Sequence, residues 1–291
     1  MFLFRNSFFT FEARTPRSFM NMKKTPLILA LSVSAALVLG GPSAAAAKPT
    51  VTMSGSTSVY PLIATLIPAF IKEKGSIATF KVYQGGSDVG VADAAYGRVT
   101  IGMSSRDERG ADPHGMTWSK FARDAICLIT NKANPIKNLN QAQVNGLYTG
   151  SIASWKNITG AKLTTSVALL TRTVASGTQD MFEKLFLGFG QHVTSRAAAK
   201  ATNGLVQQTV KTNKNAIGYV SAGFTAGTNV VGYEGYSCTL SNAKSGQYPA
   251  VRNFWLVTRG APSGVVATFI NWAQNSATAQ RLVAKGYVPL N

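Results

Sequence analysis

Glycine and hydroxyl residues lie together at three places in the sequence, each directly before a segment with helical spacing. The three stretches are GSTS at 55–58, GGSD at 85–88 and SGT at 176–178. Glycine lets a ligand approach the backbone closely, and the unpaired amides of a helix N-terminus attract anions. The combination suits the binding of a small anion, although each stretch taken alone is more often only a helix cap.

Two arginines accompany these stretches. Arg172 precedes SGT by four residues, and Arg106 ends the segment VTIGMSSR. Each follows a predicted strand, and a guanidinium group can bind a tetrahedral oxyanion through two parallel hydrogen bonds. The chain contains neither a Walker loop nor a dinucleotide fingerprint. The sequence therefore predicts a site for a small oxyanion.

Segments typical of strands alternate with segments typical of helices along the chain. VTMSG, TFKVYQ, VTIGMSS and DAICLITN have the pattern of strands, and YPLIATLIPAFIKEKG has that of a helix, for which Ser58 is the expected N-cap. This alternation predicts an α/β fold. Ligands of open α/β sheets bind at the carboxyl ends of strands, where all three glycine-hydroxyl stretches would lie.

The first residues have the pattern of a secretory signal peptide. MNMKKTP supplies basic residues, PLILALSVSAALVLG is apolar, and SAAAAK offers small residues for cleavage. The apolar segment is shorter than the ~20 residues of a membrane-spanning helix. We expect residues 1–47 to be removed, translation to start at Met20 or Met22, and the mature protein to reside in the periplasm.

The chain is strongly basic, with a formal net charge of +18. Residues 1–47 hold five basic residues and one acid, so the remainder carries +14. Such a charge attracts anions of any size. The basic residues are scattered rather than clustered, and no nucleic-acid motif is present. A polyanion-binding or adhesive surface protein remains an alternative, but no specific nucleic-acid partner is expected.

The cysteines and histidines do not predict a metal site. Cys127, Cys238, His114 and His192 match no known ligand spacing, and no cofactor is expected. In an exported protein the two cysteines could form a disulfide. Cys127 lies within the apolar segment AICLIT, however, which favours a buried thiol over a disulfide.

Six motifs together resemble one family. GSTSVYPL, QGGSDVG, IGMSSR, SGTQ, NAIGYVS and KGYVPL are similar, in order and spacing, to those of the phosphate-binding proteins of bacterial ABC importers. The resemblance covers residues 50–291. It implies a type II periplasmic binding protein with a hinge, two lobes and a ligand cleft between them, one lobe formed by residues 48–131 and 226–291 and the other by residues 132–225.

The resemblance also implies phosphate contacts. The corresponding residues are Thr57, Ser58, Ser87, Arg172, Ser176, Gly177 and Thr178. Some family members have an aspartate where this chain has Ser105. Asp88 is the only acid within the three stretches, so we expect it to accept the hydrogen bond of a protonated phosphate oxygen, unless it only caps the following helix. Ser105 and Arg106 are further candidate contacts.

The function predicted is capture of inorganic phosphate for the membrane permease subunits of an ABC importer, by a monomer. Sulfate, molybdate or a phosphonate are alternative ligands. An enzyme is not expected: Ser176 lacks the G-x-S-x-G context of a nucleophile, and only His114 or His192 could serve as its base.

Overall fold

The structure, a computed structural model, describes residues 47–290. The predicted signal peptide, its cleavage and the start at Met20 or Met22 lie outside these residues. Within residues 47–290, no helix combines the length and the apolar character that crossing a bilayer requires.

Ten strands and eight α-helices alternate along the described chain, as the α/β prediction requires. The strands are β1 (Thr50–Gly55), β2 (Thr79–Val82), β3 (Ile101–Ser104), β4 (Met116–Thr130), β5 (Asn138–Leu139), β6 (Ala168–Arg172), β7 (Ala198–Lys200), β8 (Ala216–Ser221), β9 (Asn229–Tyr233) and β10 (Val251–Arg259). The helices are α1 (Tyr60–Lys74), α2 (Ser87–Ala95), α3 (Gln141–Thr149), α4 (Gly177–Phe182), α5 (Asn203–Thr212), α6 (Leu240–Ser245), α7 (Gly264–Asn275) and α8 (Ala277–Val283).

The strands are arranged in the order β2-β1-β3-β10-β4-β8-β6-β7, with β9 beside β4 and β5 beside β9. β1 is parallel to β2 and β3, and β6 is parallel to β8 and β7. The carboxyl ends of β1, β3 and β6 lead into the GSTS, SSR and SGT stretches. This topology explains how stretches distant in sequence come together.

β4 connects two halves of the molecule. Its first part, up to Ala125, pairs with β10, and its last part, from Ile126, pairs with β8. A first hydrophobic core lies among β1, α1, β3, β10 and α7, where Phe70 packs edge to face against Phe269 and against Trp272. A second core lies on the other half and includes the stacked rings of Phe182 and Tyr219.

The segment 226–250 contributes to the second core. Val231, Tyr233, Ala243 and Tyr248 are buried in the second core, together with residues from 125 to 219. The resemblance implies that this segment belongs to the same lobe as residues 48–131, and that division stays a prediction. The pairing of β9 with the last part of β4 holds the segment in the second half.

A disulfide joins Cys127 to Cys238, so the expectation of a buried free thiol is wrong. The Cα atoms lie 5.6 Å apart, a separation within the range that disulfides span. Cys127 is buried as expected. The sequence could not show that the segment after β9 folds back against β4, which brings the second cysteine to the first.

Candidate functional site

The three glycine-hydroxyl stretches meet in the structure. The Ser58 and Thr178 hydroxyls lie 3.1 Å apart, and the Asp88 amide donates to the Ala175 carbonyl at 3.1 Å. A Cβ atom on Gly177 would lie only 2.3 Å from the Ser87 hydroxyl. Glycine is thus required here for close approach, because the loop before α4 lies directly against the loop before α2.

Hydroxyl groups form a buried cluster at this junction. Ser56 Oγ donates to Ser105 Oγ at 2.9 Å, and the Ser105 amide donates to Ser87 Oγ at 3.0 Å. Ser56 Oγ also accepts from the Ser58 and Val59 amides, at 3.2 and 3.3 Å. Val59 directly precedes α1 without a side-chain cap, so Ser56 rather than the predicted Ser58 accepts the amides at the start of the helix. As a result, the Ser58 hydroxyl is available to the cluster.

Ser176 and Thr178 have different roles although both were predicted to contact the ligand. Ser176 Oγ accepts from the amides of Thr178 and Gln179 and so caps α4. Thr178 instead directs its hydroxyl toward Ser58. Both side chains are buried. The loop thus supplies one hydroxyl that fixes the backbone and one that lies within the cluster.

Arg172 lies at the end of β6 and is only 3% exposed. Its Nε donates to the Lys200 carbonyl at 3.0 Å, and its Nη2 donates to the Ala201 carbonyl at 2.8 Å and to Thr57 Oγ1 at 3.1 Å. Its Nη1 is buried without a hydrogen-bond partner, and no ion pair to Arg172 occurs among the described residues.

Arg172 is therefore a buried cation without a carboxylate partner among the described residues. Burial, together with the nearby cation Arg252, lowers its pKa to about 10, while Tyr219 acts in the opposite direction. The group remains positively charged near pH 7. A buried cation without a carboxylate is costly unless an anion pairs with it.

Arg252 and Asp124 belong to the same site and were missed by sequence reasoning. Arg252 Nη2 donates to Asp124 Oδ2 at 2.9 Å, and both side chains are fully buried. The same guanidinium donates to Thr178 Oγ1 at 2.8 Å and to Ser58 Oγ at 2.9 Å. Burial raises the pKa of Asp124 and lowers that of Arg252, in each case against the attraction of the partner.

Asn203, at the first position of α5, was missed as well. Its Nδ2 donates to Thr57 Oγ1 at 3.1 Å and to Ser58 Oγ at 2.9 Å. Its Oδ1 accepts from the Ser221 amide at 3.1 Å, while Ser221 Oγ donates to Asp124 at 3.0 Å. The sequence offered only a weak signal for Arg252 and Asp124, since β10 also contains Arg259 and β4 also contains Lys120 and Arg123. Asn203 offered none.

Asp88 and Arg106 belong to a neighbouring ion network rather than to the hydroxyl cluster. Arg106 Nε donates to Asp88 Oδ1 at 2.6 Å, and its two terminal nitrogens donate to the Asp112 carboxylate at 2.7 Å each. Burial opposes the charge of Arg106, but these two carboxylates raise its pKa. Asp112, which sequence reasoning overlooked, completes this network. The roles of Asp88 as a ligand acceptor and of Arg106 as a ligand contact stay predictions.

The site is a dense set of hydrogen-bond donors. Two guanidinium groups and one carboxylate give it a net charge of +1, and the other groups are hydroxyls and one amide. The His192 side chain is 79% exposed and contacts Glu183, His114 is exposed too, and neither forms a hydrogen bond to Ser176 among the described residues. Across residues 47–290 there is no cluster of three His, Cys, Asp or Glu residues that could hold a metal ion.

Comparison with known proteins shows the family of the chain. Residues 40–277 match the PBP superfamily domain. The chain belongs to this family. One relative of known structure comes from Clostridium perfringens and is described as a phosphate ABC transporter substrate-binding protein with bound phosphate. It is 30% identical to this chain. The match covers 83% of this chain and 100% of that one, with a TM-score of 0.78.

Two further relatives are also named for phosphate transport or phosphate binding. An ABC-type phosphate transport receptor from Vibrio cholerae is 26% identical over 82% of this chain and 99% of its own, with a TM-score of 0.67. The phosphate-binding protein PstS of Bacillus subtilis is 23% identical, and the match covers 92% of this chain and 95% of the relative. The fold is thus the type II periplasmic binding protein fold, as the resemblance implied.

Proposed function

We propose that the protein captures inorganic phosphate and delivers it to the membrane permease of an ABC importer. The observation that carries this proposal is Arg172, a buried cation with an unpartnered Nη1 and no carboxylate partner in the described chain. The hydroxyls of Thr57, Ser58 and Thr178 lie around the same junction. The relatives named for phosphate binding support the choice of anion.

The ligand would be held between two lobes. We assign residues 47–124 and 251–290 to the first lobe and residues 125–250 to the second, following the two cores except at Val288, which is buried in the second. The crossings then fall at Asp124–Ala125 and Ala250–Val251. Thr57, Ser58, Ser87, Ser105 and Arg252 belong to the first lobe, and Arg172, Thr178 and Asn203 to the second. Closure of the lobes around the anion would assemble the site.

We further propose that the mature chain begins near Lys48 and acts as a monomer in the periplasm without enzymatic activity. Several observations support this. The signal-like pattern precedes the described residues, and the class to which the relatives belong is that of binding proteins rather than enzymes. Mass spectrometry of the exported protein would test the mature N-terminus, and a chain that retains Lys23 would contradict the proposal.

Calorimetric titration of the dialysed mature protein tests the ligand. Phosphate should bind with a stoichiometry of one and more tightly than sulfate, molybdate or methylphosphonate. Preference for one of the other anions would replace phosphate as the ligand while leaving the site in place. Absence of binding by all four would overturn the function proposed.

A further inference from the structure

The loop between β3 and β4, residues 105–112, contacts both proposed lobes. Its base is fixed in the first lobe, where Arg106 is 2% exposed and pairs with Asp88 and Asp112. The Arg109 amide also donates to Asp112 Oδ2 at 2.8 Å. These contacts give the loop a defined position although several of its residues are exposed.

Two ion pairs extend from this loop to the second lobe. Arg109 Nη2 lies 2.7 Å from Asp180 Oδ1, and Lys184 Nζ lies 3.8 Å from Asp107 Oδ2. Arg109 Nη1 is also 3.4 Å from both Asp88 oxygens, so its guanidinium bridges acids of both lobes. Asp180 is in α4, two residues after the Thr178 that faces the hydroxyl cluster.

Two side chains of β10 hold the Asp107 carboxylate in position. Its Oδ1 accepts from Asn253 Nδ2 at 3.0 Å and from Trp255 Nε1 at 3.1 Å, both on β10. Its Oδ2 is thereby directed outward to Lys184. The loop therefore presents one fixed cation and one fixed anion, and the second lobe presents an anion and a cation that complement them.

We propose that the 105–112 loop is a strap that holds α4 against the first lobe and slows release of the bound anion. Arg109 is its principal positioning residue, and it does not touch the hydroxyl cluster. This inference depends on the proposed function, because a strap of this kind requires lobes that separate and a ligand between them.

The expected effect is on dissociation. The Arg109, Asp180 and Asp107 side chains are about one-third exposed, and such ion pairs change an equilibrium by roughly 2- to 5-fold. The pairs form only when α4 reaches the loop, so their loss should raise the dissociation rate more than it lowers the association rate. Salt should weaken them, because exposed charges are screened.

Stopped-flow tryptophan fluorescence with phosphate measures this rate. Asp180→Asn should raise the dissociation rate roughly 2- to 5-fold and Asp180→Asn/Lys184→Gln about 10-fold, and the excess over wild type should shrink in about 0.5 M KCl. Glu108→Gln and Lys156→Gln are the matched controls: they remove the same charges from exposed residues for which no ion pair is formed in the described structure. Equal rates in Asp180→Asn and Glu108→Gln would overturn the strap. Circular dichroism confirms folding of each variant.

A second measurement keeps the strap testable if phosphate is not the ligand. Spin labels on cysteines introduced at Tyr96 and Phe189, two exposed positions on opposite lobes, report the interlobe distance without any anion. The Asp180→Asn substitution should increase the population with the longer distance relative to Glu108→Gln. Identical distance distributions would overturn the strap, whereas failure of wild type to bind phosphate would overturn only the proposed function.

Discussion

Arg252 on β10 and Asp124 on β4 form a fully buried ion pair at the point where β4 passes from one half of the molecule to the other. The pair links the hydroxyl cluster, through Ser58 and Thr178, to the end of β8, through Ser221. Removal of either charge leaves the other buried without a partner, which is far more costly than loss of an exposed pair.

Asp124→Asn should therefore lower the free energy of unfolding by about 3–5 kcal/mol. Urea denaturation of wild type and variant measures this difference. Asp180→Asn, which breaks a partly exposed pair, is the control and should cost less than about 1 kcal/mol. Similar losses in the two variants would mean that the buried pair has no special role in stability.

Arg172→Ala should weaken phosphate binding about 100-fold, because two charge-assisted hydrogen bonds of about 1.5 kcal/mol each would be lost. Arg172→Lys should recover only part of the affinity, since an ammonium group lacks the planar fork of a guanidinium. Calorimetry supplies the dissociation constants, and Arg98→Ala, which removes an exposed arginine paired with Asp93, is the control. An Arg172→Ala variant of wild-type affinity would place Arg172 outside the site.

Asp88→Asn should leave the ratio of phosphate to sulfate affinity unchanged. The carboxylate is engaged by Arg106 and Arg109 and does not contact the hydroxyl cluster. The substitution should instead lower the free energy of unfolding by about 1 kcal/mol, since Arg106 retains Asp112. Competition titration and urea denaturation test the two statements. A rise in relative sulfate affinity would restore Asp88 as the acceptor expected from the sequence.

The disulfide should contribute substantially to stability. Cys127 and Cys238 are 111 residues apart, and closing a loop of that size stabilises a fold by roughly 4–5 kcal/mol in the chain-entropy treatment. The double variant Cys127→Ala/Cys238→Ala should melt about 10 °C lower than wild type. Calorimetric melting with and without a reductant checks this, because the reductant should affect wild type and not the variant.

The pH dependence of stability should contain a contribution from Asp112. Burial would raise its pKa, but the hydrogen bonds from Arg106 and the Arg109 amide hold the pKa below its ordinary value. A depressed carboxyl pKa adds stability above the unfolded value, about 4, and this stability is lost as the pH falls further. Asp112→Asn should thus lose less stability than wild type between about pH 6 and 3, whereas Glu108→Gln should behave as wild type. Parallel pH profiles for wild type and Asp112→Asn would contradict this.

Local sequence patterns predicted the elements of the site better than its connections. The alternation of strands and helices and the three glycine-hydroxyl stretches follow from short-range periodicity and turn chemistry, and each is found where expected. Arg252 is 194 residues from its Ser58 partner. Its contacts depend on the position of β10 between β3 and β4, which local patterns do not specify.

The contacts of Asp88 could not be predicted from the sequence for the same physical reason. An acid at a helix start beside candidate binding serines is chemically suited to accept a hydrogen bond, and Asp88 does occupy the first turn of α2. Its actual partners come from the 105–112 loop, which folds back through Asp112. Only the folded chain shows that Arg106 and Arg109 reach the carboxylate.

Gly177 has a consequence for the design of molecular tools. A methyl group at this position would collide with the Ser87 hydroxyl and come within 3.0 Å of the Arg106 amide nitrogen, so the two loops could not approach to the distance seen here. Gly177→Ala would hold the loop before α4 away from the loop before α2 and would leave both hydrophobic cores intact. The variant should favour a more open state, and comparing it with wild type would separate an effect of lobe closure from an effect of the bound anion on the proposed permease partner.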